Sequence, residues 1–115
     1  MKIAVLVKQV PGGDSPLRIS DDQLWVREEN VNFITNESDS YAVEEALQLK
    51  ETLGEGEVVA VSLGPERTQR TIREALAKGA DRGIHIEESY PYASDPLQIA
   101  RTFASTLKEE QFDLI

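Results

Sequence analysis

His85 is the only histidine in the chain, and no cysteine accompanies it. It stands between Ile84 and Ile86 in a stretch that reads as a strand. The further His or Cys ligands that a metal site needs are not clustered with it. His85 therefore reads as a structural or surface histidine. The adjacent pairs Glu28-Glu29, Glu44-Glu45 and Glu109-Glu110 offer carboxylates, but on a helix neighbouring side chains diverge rather than meet at one atom. They read as solvated faces. Ser62 precedes Gly64 without the G-x-S-x-G elbow or a histidine to activate it, which is poor ground for a hydrolase. Gly12-Gly13 does not complete G-x-G-x-x-G, and no Walker A sequence is present. Binding, rather than bond-making, is the chemistry left to look for.

The elements that would position a binding site are legible around residues 57–86. Val58, Val59, Ala60, Val61 and Leu63 form a near-continuous apolar run over 57–63, suited to a parallel strand covered on both faces. Gly64 permits close backbone approach, and Pro65 suits the first helical position. The following helix presents Thr68, Ile72, Ala75 and Leu76 at helical spacing and stops at Gly79, before a strand at 83–86.

Upstream, residues 1–7 read as a first buried strand. Their apolar run is too short for a signal core or a membrane span. Residues 8–16, with Pro11, Gly12, Gly13 and Pro16, read as a loop. Residues 17–20 and 23–26 flank Asp21-Asp22 as a small surface hairpin, with Trp25 expected over the core or at a subunit interface rather than on a ligand. Residues 31–35 read as extended.

A helix is expected over 38–53, with Ser38, Asp39 or Ser40 as its cap and Ala42, Val43, Ala46, Leu47 and Leu53 as its apolar stripe. Residues 87–94 read as a loop. Asp95-Pro96 opens a helix over 96–108 that buries Leu97, Ala100, Phe103, Ala104 and Leu107. Residues 111–115 look like a strand beginning, so a piece of a longer protein is expected. Strands alternating with helices predict one α/β domain over residues 1–115, a parallel sheet with helices on both faces and a small surface hairpin.

Such a sheet gathers three places at its carboxyl edge: the end of strand one (Leu6 onward), the helix entry Asn36 to Asp39, and the turn from Ser62 through Leu63 and Gly64 to Pro65. Asn36 offers an amide to a base or ribose. Ser38, Asp39 and the helix N–H groups suit hydroxyls or phosphate. The net charge of −9 argues against nucleic-acid or anionic-membrane partners. The lack of cysteine fits a reducing, cytoplasmic compartment.

The chain resembles the beta subunits of electron transfer flavoproteins over its whole length. The resemblance lies in Lys8-Gln9-Val10-Pro11, in Asn36 followed by Ala42-Val43-Glu44-Glu45-Ala46-Leu47, in Val61-Ser62-Leu63-Gly64-Pro65, and above all in Ala75-Leu76-Ala77-Lys78-Gly79-Ala80-Asp81-Arg82-Gly83. It implies an adenine-nucleotide α-hydrolase-like, Rossmann-like fold. It also implies a heterodimer with an alpha subunit that holds most of the FAD, serving partner dehydrogenases and a quinone reductase or ferredoxin-type acceptor, with no enzymatic turnover by this chain.

In the common branch the beta subunit buries AMP. Carried over, its contacts fall at Leu6, Asn36, Glu37, Ser38, Asp39, Leu63 and Gly64. The chain departs from many relatives at Glu37 and Ser38, where Pro and an aromatic stand, and at Asp39 and Leu63, where some have Cys. Its Lys8-Gln9-Val10-Pro11 resembles the electron-bifurcating branch, in which a second FAD replaces AMP. A stand-alone nucleotide-binding module of universal-stress-protein type is the alternative.

Overall fold

Two apolar runs build the centre of the molecule. In the computed structural model, which describes residues 1–89 and 95–115, β1 (Lys2–Leu6) lies parallel to β4 (Glu57–Gly64), with Ile3 beside Val58 and Leu6 beside Val61. On the far side of β4, β5 (Arg82–Glu87) is also parallel and pairs Val61 with Ile84 and Leu63 with Ile86. Val58, Val59, Ala60 and Val61 are completely buried because both faces of β4 are covered.

One face packs Ile3, Val5, Val7, Val58 and Ala60 against Val43 and Ala46 of α1 (Glu37–Leu53) and Ala75 of α2 (Gln69–Lys78). The other packs Ala4, Val59 and Val61 against Phe103 and Leu107 of α3 (Pro96–Leu107). The parallel α/β sheet with helices on both faces is therefore as expected. Leu114 bridges Ile3 in parallel, so the strand-like residues 111–115 begin to extend the sheet beyond β1.

Several local expectations need correction. Residues 9–11, expected as loop, form β2 (Gln9–Pro11), antiparallel to β3 (Phe33–Thr35). Three residues ending in Pro give no periodic signal, and the partner lies 22 residues beyond. The hairpin within 17–26 shrinks to one bridge, Ile19 to Val26, because Ser20 and Asp22 side chains bond the backbone of Trp25 and Leu24 and Gln23 takes φ 60°.

The cap position of α1 is Asn36, not Ser38, Asp39 or Ser40, and its side chain makes no capping hydrogen bond. Ala42 and Leu53 are exposed, leaving Val43 and Ala46 as the buried stripe. Pro65 is extended (ψ 173°) and precedes a 3-10 turn, Glu66–Thr68, instead of opening α2. Its carbonyl accepts both the N–H and the hydroxyl of Thr68. On α2, Thr71 is buried while Leu76 is exposed.

Asp95 caps α3 as expected, accepting from the N–H of Gln98 at 2.8 Å. The row turned inward on that helix is Ile99, Phe103 and Leu107, at i, i+4 and i+8; Leu97, Ala100 and Ala104 are exposed. Both rows are apolar, so composition did not choose between them. Part of the loop expected over 87–94, residues 90–94, lies outside the described residues.

Candidate nucleotide cavity

Val7 leaves the end of β1 with its N–H still bonded to the Val61 carbonyl, at 2.8 Å. Lys8 follows and is gripped by the start of α1: its N–H donates to Asp39 Oδ2 at 2.8 Å, and its carbonyl accepts from the Asn36 N–H at 2.8 Å. This strap brings the strand-one end beside the helix entry. The end of β4 completes the wall. There His85 Nε2 lies 2.9 Å from the Gly64 carbonyl and 3.0 Å from Thr68 Oγ1. Because the Thr68 hydroxyl donates to the Pro65 carbonyl, Nε2 is the protonated nitrogen in this arrangement. The lone histidine thus holds a turn, the structural role expected of it.

A cavity of about 640 Å³ opens at this carboxyl edge of the sheet. Of the expected site residues, Leu6, Asn36, Asp39, Leu63 and Gly64 line it. Glu37 and Ser38 do not; both are exposed on the first turn of α1, pointing their chemistry elsewhere than the lining. Lys8, Gln9, Val10, Pro11, Phe33 and Pro65 also line it, and Ile99 and Phe103 enter from α3.

The surprises are Trp25 and Arg67. Trp25, expected over the core or a subunit interface, lines the cavity with Leu17 and Val26. Arg67 stacks on Phe33, with its guanidinium carbon 3.6 Å from the ring centroid, and pairs with Glu28 at 2.9 Å. Glu28 is accordingly not a merely solvated carboxylate: the hydrogen bond from Arg67 holds its carboxyl below the usual range. No local pattern signals a pair 39 residues apart in sequence.

The lining suits a flat apolar ring edged by a few polar groups. Its size lies within the range of roughly 300–1,000 Å³ found for small-molecule and cofactor sites. Leu6, Leu63, Pro65 and Phe103 supply apolar surface, and the Asn36 amide is not spent on capping. The acidic first turn of α1, Glu37 and Asp39, already complements the helix dipole, so anionic ligand groups are better met by Lys8 at the rim. Among the described residues, no group of three or more His, Asp or Glu is placed to hold a metal ion. No helix of the described residues is long and apolar enough to cross a membrane.

Residues 23–115 match the electron transfer flavoprotein domain. Over its whole length the chain is 42% identical to a human protein named electron transfer flavoprotein subunit beta, covering 46% of that protein. It is 38% identical to the Dictyostelium discoideum protein of that name and 35% to that of Methylophilus methylotrophus, covering 45% and 44% of them. The chain thus spans less than half the length of these relatives. With the domain match covering most of its residues, the chain belongs to the electron transfer flavoprotein domain family.

Proposed function

We propose that this chain forms the nucleotide-binding scaffold of an electron transfer flavoprotein beta subunit, holding an adenine nucleotide in the carboxyl-edge cavity. The observation that supports this most is the convergence of Leu6, Asn36, Asp39, Leu63 and Gly64 on one cavity. The whole protein would pair with an alpha subunit that holds most of the FAD and would work in the cytoplasm. It would pass electrons from partner dehydrogenases to a quinone reductase or ferredoxin-type acceptor.

Bound flavin supplies the redox chemistry in such a complex, and the protein supplies binding, orientation and exclusion of water. Leu6 and Leu63 would pack the faces of the adenine. The Asn36 amide would meet a base edge or ribose hydroxyl, and Asp39 in the first turn of α1 would bound the polar end. No residue of this chain needs to move a proton, so it has no turnover of its own. AMP is the expected occupant, with a second FAD as the occupant in a bifurcating relative. The domain match favours this reading over a stand-alone universal-stress-type module.

Titration of AMP and of FAD into the full-length protein, beside Asn36→Ala, tests the proposal. Loss of one buried polar partner corresponds to about tenfold weaker binding of the preferred nucleotide. If neither nucleotide binds the full-length protein, or Asn36→Ala binds as the parent does, the proposed site is wrong.

A further inference from the structure

Residues 12–32 leave the layered fold between β2 and β3 and return to the mouth of the cavity, where Leu17, Trp25 and Val26 line it. Arg67, on the 3-10 turn after β4, ties this arm down. Its Nη2 donates to Glu28 Oε1 at 2.9 Å and its Nε to Glu28 Oε2 at 3.4 Å, a two-point grip on one carboxylate. The Trp25 Nε1–H donates to the same Glu28 Oε1 at 3.3 Å. From β2, Gln9 accepts from Arg67 Nη1 at 2.6 Å and returns its own amide N–H to the Arg67 carbonyl at 3.0 Å. The Phe33 ring closes one face of the guanidinium. One cation therefore fixes the indole through Glu28 while its own carbonyl and side chain are fixed by Gln9.

We propose that Arg67 is a positioning residue for the cavity: by clasping Glu28 it holds Trp25 over the bound adenine nucleotide and slows its release. This rests on the nucleotide reading of the cavity. The competing role, direct contact of Arg67 with a ligand phosphate, is disfavoured because Nε, Nη1 and Nη2 already donate to Glu28 and Gln9. Arginine suits the task because its planar fork serves a carboxylate and an aromatic face together, which a lysine cannot do.

The test is AMP dissociation from the full-length protein carrying Arg67→Met, Glu28→Ala or both, the alanine leaving no oxygen to accept from Arg67 or Trp25. Each single substitution should speed dissociation about five-fold, and the double no further, since both break one clasp. Trp25 emission, isolated by difference from Trp25→Phe, should become more open to acrylamide quenching in each single variant of the AMP-saturated protein. Faster release in Arg67→Met with Glu28→Ala unchanged would overturn the proposal in favour of direct ligand contact. Unchanged release in both, with Asn36→Ala still weakened, would overturn the clasp and leave the site standing. Silence of Asn36→Ala as well would instead bring down the nucleotide reading itself.

Discussion

Gly64 and Asp39 show how single residues shape the cavity wall. Gly64 sits at φ 155°, and a Cβ there would come 2.5 Å from Thr68 Cγ2, the side chain whose hydroxyl holds the Pro65 carbonyl. Gly64→Ala should cost about 1–3 kcal/mol, the range for a residue forced into a sparsely populated backbone region, read as a lower urea midpoint. Asp39 binds the Lys8 N–H, so it joins the β1 end to α1. Asp39→Ala should lose about 1 kcal/mol and Asp39→Asn less, because the amide oxygen still accepts that bond. Equal losses in the two variants would show that charge, not the strap, matters. Asn36 and Asp39 were readable from sequence as polar residues at a helix entry. Trp25 and Arg67 were not, since they meet through Glu28, on an arm whose only local marks are turn residues.

Among the elements, Ala80-Asp81-Arg82-Gly83 joins α1, β4 and β5 and seats α2 on β5. Asp81 receives Lys50 Nζ from α1 and the Val58 N–H from β4, tying three elements together. Arg82 spans Glu57 at 3.0 Å and Glu110 at 2.6 Å. A Cβ on Gly83 would overlap Ile72 Cγ2, a methyl on a β-branched side chain with little freedom to turn away. Gly83→Ala should therefore destabilise by about 1–3 kcal/mol through overpacking. Ile72→Leu, which removes Cγ2 at similar volume, should recover most of that loss in the double variant; additive losses would exclude the overlap as the cause.

Strand and helix order was legible because the long elements are periodic or continuously apolar. On α3, Phe103 and Leu107 were legible as inward residues but Ile99 was not, because Leu97, Ala100 and Ala104 form a competing apolar row. The short strand β2 was missed because its pairing with β3 is non-local.

Across the whole molecule, the ion network and the proposed binding cavity occupy opposite edges of the sheet. Lys2, Glu57 and Arg82 begin β1, β4 and β5, and Glu110 joins them at the amino edge. Hydrogen bonds from Arg82 and then Lys2 bring the Glu110 carboxyl from 4.5 down to about 2. A carboxyl lowered on folding contributes stability that is complete above its unfolded value and is lost as pH falls through its folded value. The parent should therefore exceed Glu110→Gln in stability above pH 4.5, with the gap closing towards about pH 2. A gap independent of pH would contradict the ionic origin. AMP affinity at neutral pH should change less than about two-fold in that variant, because ligand sites of α/β sheets lie at the other edge. The sequence marked that carboxyl edge through Leu6, Asn36 and Gly64, while the ion network stayed hidden in apparently solvated glutamates. Photolabelling of the full-length protein with 8-azido-AMP tests the central claim most directly. The account predicts adducts within residues 6–11, 36–39 or 63–68 that excess AMP suppresses. Adducts confined to other segments, or none that AMP suppresses, would contradict it.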